Sequence, residues 1–281
     1  MRYFQKFFSV LGVFLTGLYY ALFTLLRNRS SRIEQEPDAK VIILGNGPSL
    51  NQIDLEEIKN SDLDVACVNF FPSQNPYFFE LRPKYLCLFD PVFFGPSPLQ
   101  ERVDGLFEVL KKVDWPLTVI CFAGSRPKII NSNITYKFLP TPVLSGPYLN
   151  RFLFSLYKRN LVCLGAQNVA VGAGVFFVTK GVSELYYAGI DMSEFKGLYV
   201  DEDCRVYVDY THSYGSERKY ATVFGKGEFY KYMRMYQRMF EEFYRLKAYA
   251  DYRNVKIVNL SDESYVDVFE KDTKLFHKKE A

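Results

Sequence analysis

Val41-Ile42-Ile43-Leu44-Gly45-Asn46-Gly47-Pro48-Ser49-Leu50 is the stretch whose reading decides the fold. Four apolar residues, three of them β-branched, read as a buried strand. They run straight into two glycines, and a proline follows where a helix would start. Glycines at such a turn let the backbone approach a ligand closely, and free N–H groups at a helix start favour an anion such as a phosphate. The same turn could equally be a bare connection between elements. The third glycine of the dinucleotide fingerprint is missing and no Walker pattern is present, which disfavours an NAD site and a P-loop.

Working outward, short apolar runs at 65–68, 85–89, 117–122, 185–188 and 256–260 read as further buried strands. Amphipathic or apolar stretches at 55–59, 99–112, 171–181 and 228–251 read as helices between them. This alternation predicts an α/β fold with a Rossmann-like, mostly parallel sheet and helices on both faces. In such sheets ligands bind beyond the carboxyl ends of the strands. Asn69, Asp90 and Asp191 all fall at strand ends, although Asn and Asp also serve simple turns. The segment 191–227 breaks the alternation and reads as a lid over one edge. It carries His212, a competent general base if it faces a site and a solvated loop residue otherwise. The D-x-D at 201–203 sits between two short runs and reads as a hairpin turn; a metal site is the weaker alternative.

Composition narrows the function classes. Across 281 residues, 35 Lys+Arg against 32 Asp+Glu give a net charge of +3, so nothing points to a nucleic-acid partner. With 48% hydrophobic and 24% charged residues the chain is not disordered. The only histidines are His212 and His277, which excludes a three-His zinc site. Five cysteines, with no C-x-x-C pair, read as free thiols in a reducing compartment.

At the N-terminus, twenty residues (7–26) carry no charge, with Arg2 and Lys6 before them and Arg27, Arg29 and Arg32 after. As a helix they would reach ~30 Å, a hydrocarbon core's thickness. The immediate arginines speak for a retained anchor rather than a cleaved signal. Gly12 and Gly17 also admit a helix lying in the interface. The division expected is therefore a tail (1–6), a transmembrane or membrane-anchor helix (7–26), a polar linker (27–39), the α/β domain (40–270) and a charged tail (271–281). The expected location is a bacterial inner membrane, single-pass or monotopic, with the domain cytoplasmic.

Gly45-Asn46-Gly47-Pro48-Ser49-Leu50, then Asn69, a strand ending near Asp90-Pro91, and Gly181…Glu184-Leu185-Tyr186-Tyr187-Ala188-Gly189-Ile190-Asp191 together resemble bacterial family 42 sialyltransferases. The pattern is also similar to the related 6-hydroxymethylpterin diphosphokinase-like family of surface-glycan loci. The resemblance runs from about 40 to 269. It implies an inverting, metal-independent glycosyltransferase with no cofactor, moving a sialic-acid-like sugar from a CMP-sugar to a lipopolysaccharide or capsule acceptor, glycan or lipid-linked. It implies a nucleotide site at Gly45, Asn46, Gly47, Ser49, Asn69, Asp90 and Tyr199, with Tyr199 at the phosphate and His212 as the base. The chain departs from the family at Ser193, where a lid tyrosine is usual, at Asp90, where an asparagine is usual, and before the helix, where the usual Thr-Ser-Gly has no clean match in Asn168-Val169-Ala170-Val171-Gly172. The alternatives are a Mg-ATP-dependent diphosphokinase of the pterin type and a non-catalytic membrane scaffold. Self-association is open.

Overall fold

The computed structural model describes residues 2–27, 30–125, 129–140, 142–143, 150–213, 217–221 and 226–278. The first half runs α1 (Arg2–Arg27), β1 (Lys40–Leu44), α2 (Leu55–Lys59), β2 (Asp64–Val68), α3 (Phe71–Gln74), α4 (Phe78–Leu81), β3 (Tyr85–Cys87), α5 (Gln100–Lys111) and β4 (Leu117–Phe122). Then come β5 (Ile134–Leu139), β6 (Pro142–Val143), α6 (Asn150–Lys158), β7 (Cys163–Leu164), α7 (Val169–Lys180) and β8 (Glu184–Ala188). The last part is β9 (Leu198–Val200), β10 (Val206–Thr211), β11 (Glu217–Ala221), α8 (Phe229–Arg253), β12 (Lys256–Asn259) and β13 (Glu270–Lys271).

Eight strands form one sheet in the order β13-β12-β8-β1-β2-β3-β4-β5, and every neighbouring pair is parallel. Both faces are covered, so the strands read as continuous apolar runs rather than alternating ones. Along β1 the side chains divide accordingly: Val41 and Ile43 pack into the core under α6, α7 and α8, and Ile42 and Leu44 into the core under α2 to α5. The chain leaves β1 toward β5 on one side and later returns through β8 to β13 on the other. The reversal lies between β1 and β8, where their following loops part to opposite faces and leave a crevice.

Central α7 is buried from Ala170 to Lys180. It can lie close to the sheet because Gly174 has no side chain: a Cβ there would collide with the Tyr187 hydroxyl and with Leu246 of α8. The expected lid is a small antiparallel sheet in the order β11-β10-β9, with Asp201–Cys204 making the turn as read from sequence. Residues 214–216 and 222–225 of that segment lie outside the described residues. The sequence reading missed the short helices α3 and α4, the strands β5, β11 and β13, the β6–β7 pair and α6.

The N-terminus departs from expectation. Among the described residues no helix is long and apolar enough to cross a membrane, so the transmembrane reading of 7–26 is left unsupported. α1 instead lays Gly17, Ala21 and Thr24 against the protein, with Gly17 under Leu153 of α6 and the Phe14 and Phe152 rings 4.8 Å apart. Residues 30–39 of the expected linker are tied to the domain. Ser31 exchanges two hydrogen bonds with Phe138 on edge strand β5, its N–H donating at 3.0 Å and its hydroxyl accepting at 2.8 Å. Glu36 N–H donates to the Lys180 carbonyl and the Glu36 carboxylate pairs with the Lys180 ammonium at 2.7 Å. The C-terminal segment is fastened too: His277 hydrogen-bonds the Leu260 carbonyl at 2.7 Å, and Lys278 N–H donates to Gln52 at 2.9 Å. His277 is thus structural.

Candidate active site at the sheet reversal

The loop after β1 and the loop after β8 grip each other, and this explains the glycines first. Gly45 N–H donates to the Ala188 carbonyl at 2.8 Å and Gly47 N–H to the Gly189 carbonyl at 2.9 Å. A Cβ on Gly45 would overlap the Gly189 carbonyl oxygen, and one on Gly47 would stand 2.5 Å from an Asp191 carboxylate oxygen. Gly189 itself takes φ +70°, the left-handed region that favours glycine. The Asp191 carboxylate accepts from the Ser49 N–H at 2.9 Å and from the Ser49 hydroxyl. Burial raises the Asp191 pKa and these Ser49 hydrogen bonds oppose that shift. The two motifs read from sequence as ligand-binding are therefore also each other's structural partners.

Over this joint opens a cleft of about 660 Å³. Gly45, Asn46, Gly47, Asn69, Asp90 and His212 line it, so six of the eight candidate residues are brought together. The other two stand elsewhere. Ser49 is 5% exposed and engaged with Asp191 beneath the cleft floor. Tyr199 lies on β9, 44% exposed, stacked on Tyr207 at 5.3 Å, and is not among the cleft-lining residues. The 3-10 turn at Pro48–Gln52 is five residues long, too short for a helix dipole of consequence.

The asparagines are held differently. Asn46 donates through Nδ2 to the Val68 carbonyl at 3.2 Å, tying the β1 loop to the end of β2. Asn69 takes φ +51°, and its N–H donates to the Cys87 carbonyl at 3.0 Å. Its side-chain Oδ1 is buried with no hydrogen-bond partner among the described residues, an acceptor awaiting a donor in the cleft. Asp90 is exposed at the rim and caps the following turn through Val92 N–H at 3.0 Å, as a turn residue does.

His212 arrives from the end of β10. The Asn46 carbonyl accepts a hydrogen bond from Ser213 N–H at 3.0 Å and another from the His212 imidazole. Burial lowers the imidazole pKa, the Asn46 bond raises it less, and the Arg102 charge lowers it further. A neutral imidazole on a cleft wall is able to take a proton.

The opposite wall was not read from sequence. It is the N-terminus of α7, capped by Asn168, whose Oδ1 accepts from Ala170 N–H at 2.8 Å. Asn directly before an apolar helical run is an N-cap signal, and that signal was available. Gln167 N–H in turn donates at 2.8 Å to Glu242, a carboxylate on α8 only 4% exposed. Burial drives the Glu242 pKa up to about 7, against the pull of the Gln167 and Asn168 N–H groups and Arg245. Met235 and Met239 of α8 complete the wall.

The acidic turn is taken up internally. Arg205 pairs with Asp201 at 2.8 Å and with Asp203 at 2.8 Å. Among the described residues no three His, Cys, Asp or Glu side chains gather as a metal-binding group.

The fold and the cleft define a parallel, Rossmann-like α/β protein with its polar pocket at the reversal of strand order. No protein-family model and no curated protein sequence matches the chain. Among solved structures it is similar to the sialyltransferase CstII from Campylobacter jejuni in complex with the substrate analogue CMP-3FNeuAc, at 17% identity and a TM-score of 0.46 over 86% of this chain and 89% of that one. It is similar to the monofunctional α-2,3-sialyltransferase Cst-I of the same organism at 15% identity and a TM-score of 0.47, over 89% and 86%. Similarity this low assigns neither an activity nor a ligand to this chain. The expected kinship with the diphosphokinase-like family finds no support in these comparisons.

Proposed function

We propose that the protein is an inverting glycosyltransferase that takes a sialic-acid-like sugar from a CMP-sugar, without a metal, and passes it to a glycan acceptor. The observation that carries the reading is His212: a neutral imidazole on the cleft wall, hydrogen-bonded to the carbonyl of Asn46 in the glycine turn. The acceptor hydroxyl loses its proton to His212 as its oxygen attacks the anomeric carbon. The carbon–oxygen bond to the phosphate breaks, CMP leaves with the electron pair, and the anomeric configuration inverts. Asn46 and the unpartnered Oδ1 of Asn69 hold the nucleotide. The Gln167–Asn168 wall and the two methionines exclude water from the reacting centre. The acceptor class is a bacterial surface glycan, and the domain works on the cytoplasmic side of the inner membrane.

The test is thermal stabilisation with CMP, UDP, GDP and ATP, in EDTA and then with Mg²⁺, since a ligand that binds the native state raises the midpoint by mass action. The reading expects a CMP shift that EDTA leaves intact. A shift seen only with ATP or UDP and Mg²⁺ overturns it.

A further inference from the structure

α1 is an inside-out helix. A helix on a water-soluble domain turns its large apolar side chains inward. Here Leu11, Leu15, Leu18, Leu22, Leu25 and Leu26 fall at i, i+4, i+7, i+11, i+14 and i+15, one stripe of the helix, and all six are 39–85% exposed. The face turned to the protein buries Gly17, Ala21 and Thr24, with Val13 and Tyr20 half-buried beside them. The leucines leave on the order of 600 Å² of contiguous apolar surface, at the upper limit of what a soluble monomer exposes.

The chain that builds this face, α1 and α6 with their flanks, carries basic residues and few acidic ones. There is no aspartate or glutamate before Glu34, and none between Asp114 and Glu184, which spans β4 to α7 and includes the α6 that supports α1. At the C-terminal end of α1 the basic side chains gather. Arg27 closes the helix over the Phe23 ring, Lys137 reaches the Arg32 carbonyl, and exposed Arg159 adjoins Asn160, which donates to the Ser31 carbonyl at 2.8 Å. None of these four cations forms an ion pair among the described residues.

From this juxtaposition we infer that the α1–α6 face seats the protein flat on an anionic lipid bilayer, the leucine stripe inserted among the acyl chains and the arginines among the headgroups. An amphipathic helix with a basic flank binds such a surface through buried apolar area and attraction to anionic lipid together. Tyr19, 62% exposed beside the stripe, belongs at the headgroup level, where amphipathic rings settle. The inference deepens the membrane partner of the transfer reading, but its test has no activity readout, so either can fail alone.

The full chain is floated with vesicles of phosphatidylcholine, alone or with about one-third phosphatidylglycerol. Binding is expected to be at least about tenfold stronger to the anionic vesicles and to weaken with salt. It is expected to fall by at least about tenfold in Leu18→Glu/Leu22→Glu and in Arg27→Glu/Arg159→Glu, with the melting temperature of each unchanged because all four side chains are exposed. Two results overturn the inference. One is flotation that the leucine double variant leaves intact. The other is no flotation, together with a dimer in light scattering that the same variant makes monomeric.

Discussion

Glu242 gives the most quantitative handle on the cleft wall. Its carboxyl is held at about 7 instead of 4.5, first by burial. The folded state therefore binds a proton more tightly than the unfolded chain does. Stability from this group is fully present below the unfolded value near 4.5 and is lost as pH rises through about 7. A shift of that size corresponds to about 3 kcal/mol between pH 4 and 8, taken as an upper limit. Glu242→Gln keeps an oxygen for the Gln167 N–H and removes the titration. Other groups titrate over this range in both proteins, so the quantity to follow is the difference between the wild type and Glu242→Gln in urea unfolding or melting temperature. That difference should swing in favour of the variant by up to about 3 kcal/mol from pH 4 to pH 8, at roughly 2–4 °C per kcal/mol for a domain of this size. A difference that stays flat with pH would refute the buried-carboxylate account of this wall.

Gly45→Ala forces a Cβ into the Gly189 carbonyl oxygen, a backbone atom, and should cost at least about 1–3 kcal/mol while abolishing any nucleotide-induced stabilisation. Asp191→Ala strips the Ser49 N–H and hydroxyl of their acceptor, and a loss of about 1–3 kcal/mol in chemical denaturation is expected. Tyr199→Phe should leave CMP affinity within about twofold, because the residue does not line the cleft; a loss of about tenfold would show that β9 moves onto the ligand. The acid limb of the turnover profile, set by protonation of His212, should lie below pH 6.5, because burial lowers that imidazole; a limb at or above pH 7 would mean another group titrates.

The parallel sheet was legible because its strands are short apolar runs parted by amphipathic ones, and the cleft because Asn69 and Asp90 end such runs. What misled was local reading of residues whose role is settled by partners far along the chain. Ser49 stands in the glycine turn, yet its N–H and hydroxyl both engage Asp191, 142 residues away, which the sequence gives no means to foresee. The stretch 27–39 is polar enough to pass for a linker, yet Ser31 docks on β5, a strand too polar at Thr135, Tyr136 and Lys137 to stand out as buried. The charge-free N-terminal run gives no sign that its glycine, alanine and threonine, rather than its leucines, meet the protein. The five cysteines are free thiols, as read, and burial pushes the Cys67, Cys87 and Cys163 thiols well up, leaving them inert packing groups.

In the proposed reaction His212 removes the acceptor proton while the nucleotide is held by other residues. The measurement is sugar transfer from a CMP-sugar to a glycan acceptor in EDTA by the wild type and by His212→Ala, with CMP-induced thermal stabilisation followed in both. The variant is expected to lose transfer by about 100-fold or more and to keep the CMP shift. Undiminished transfer by His212→Ala would contradict that role.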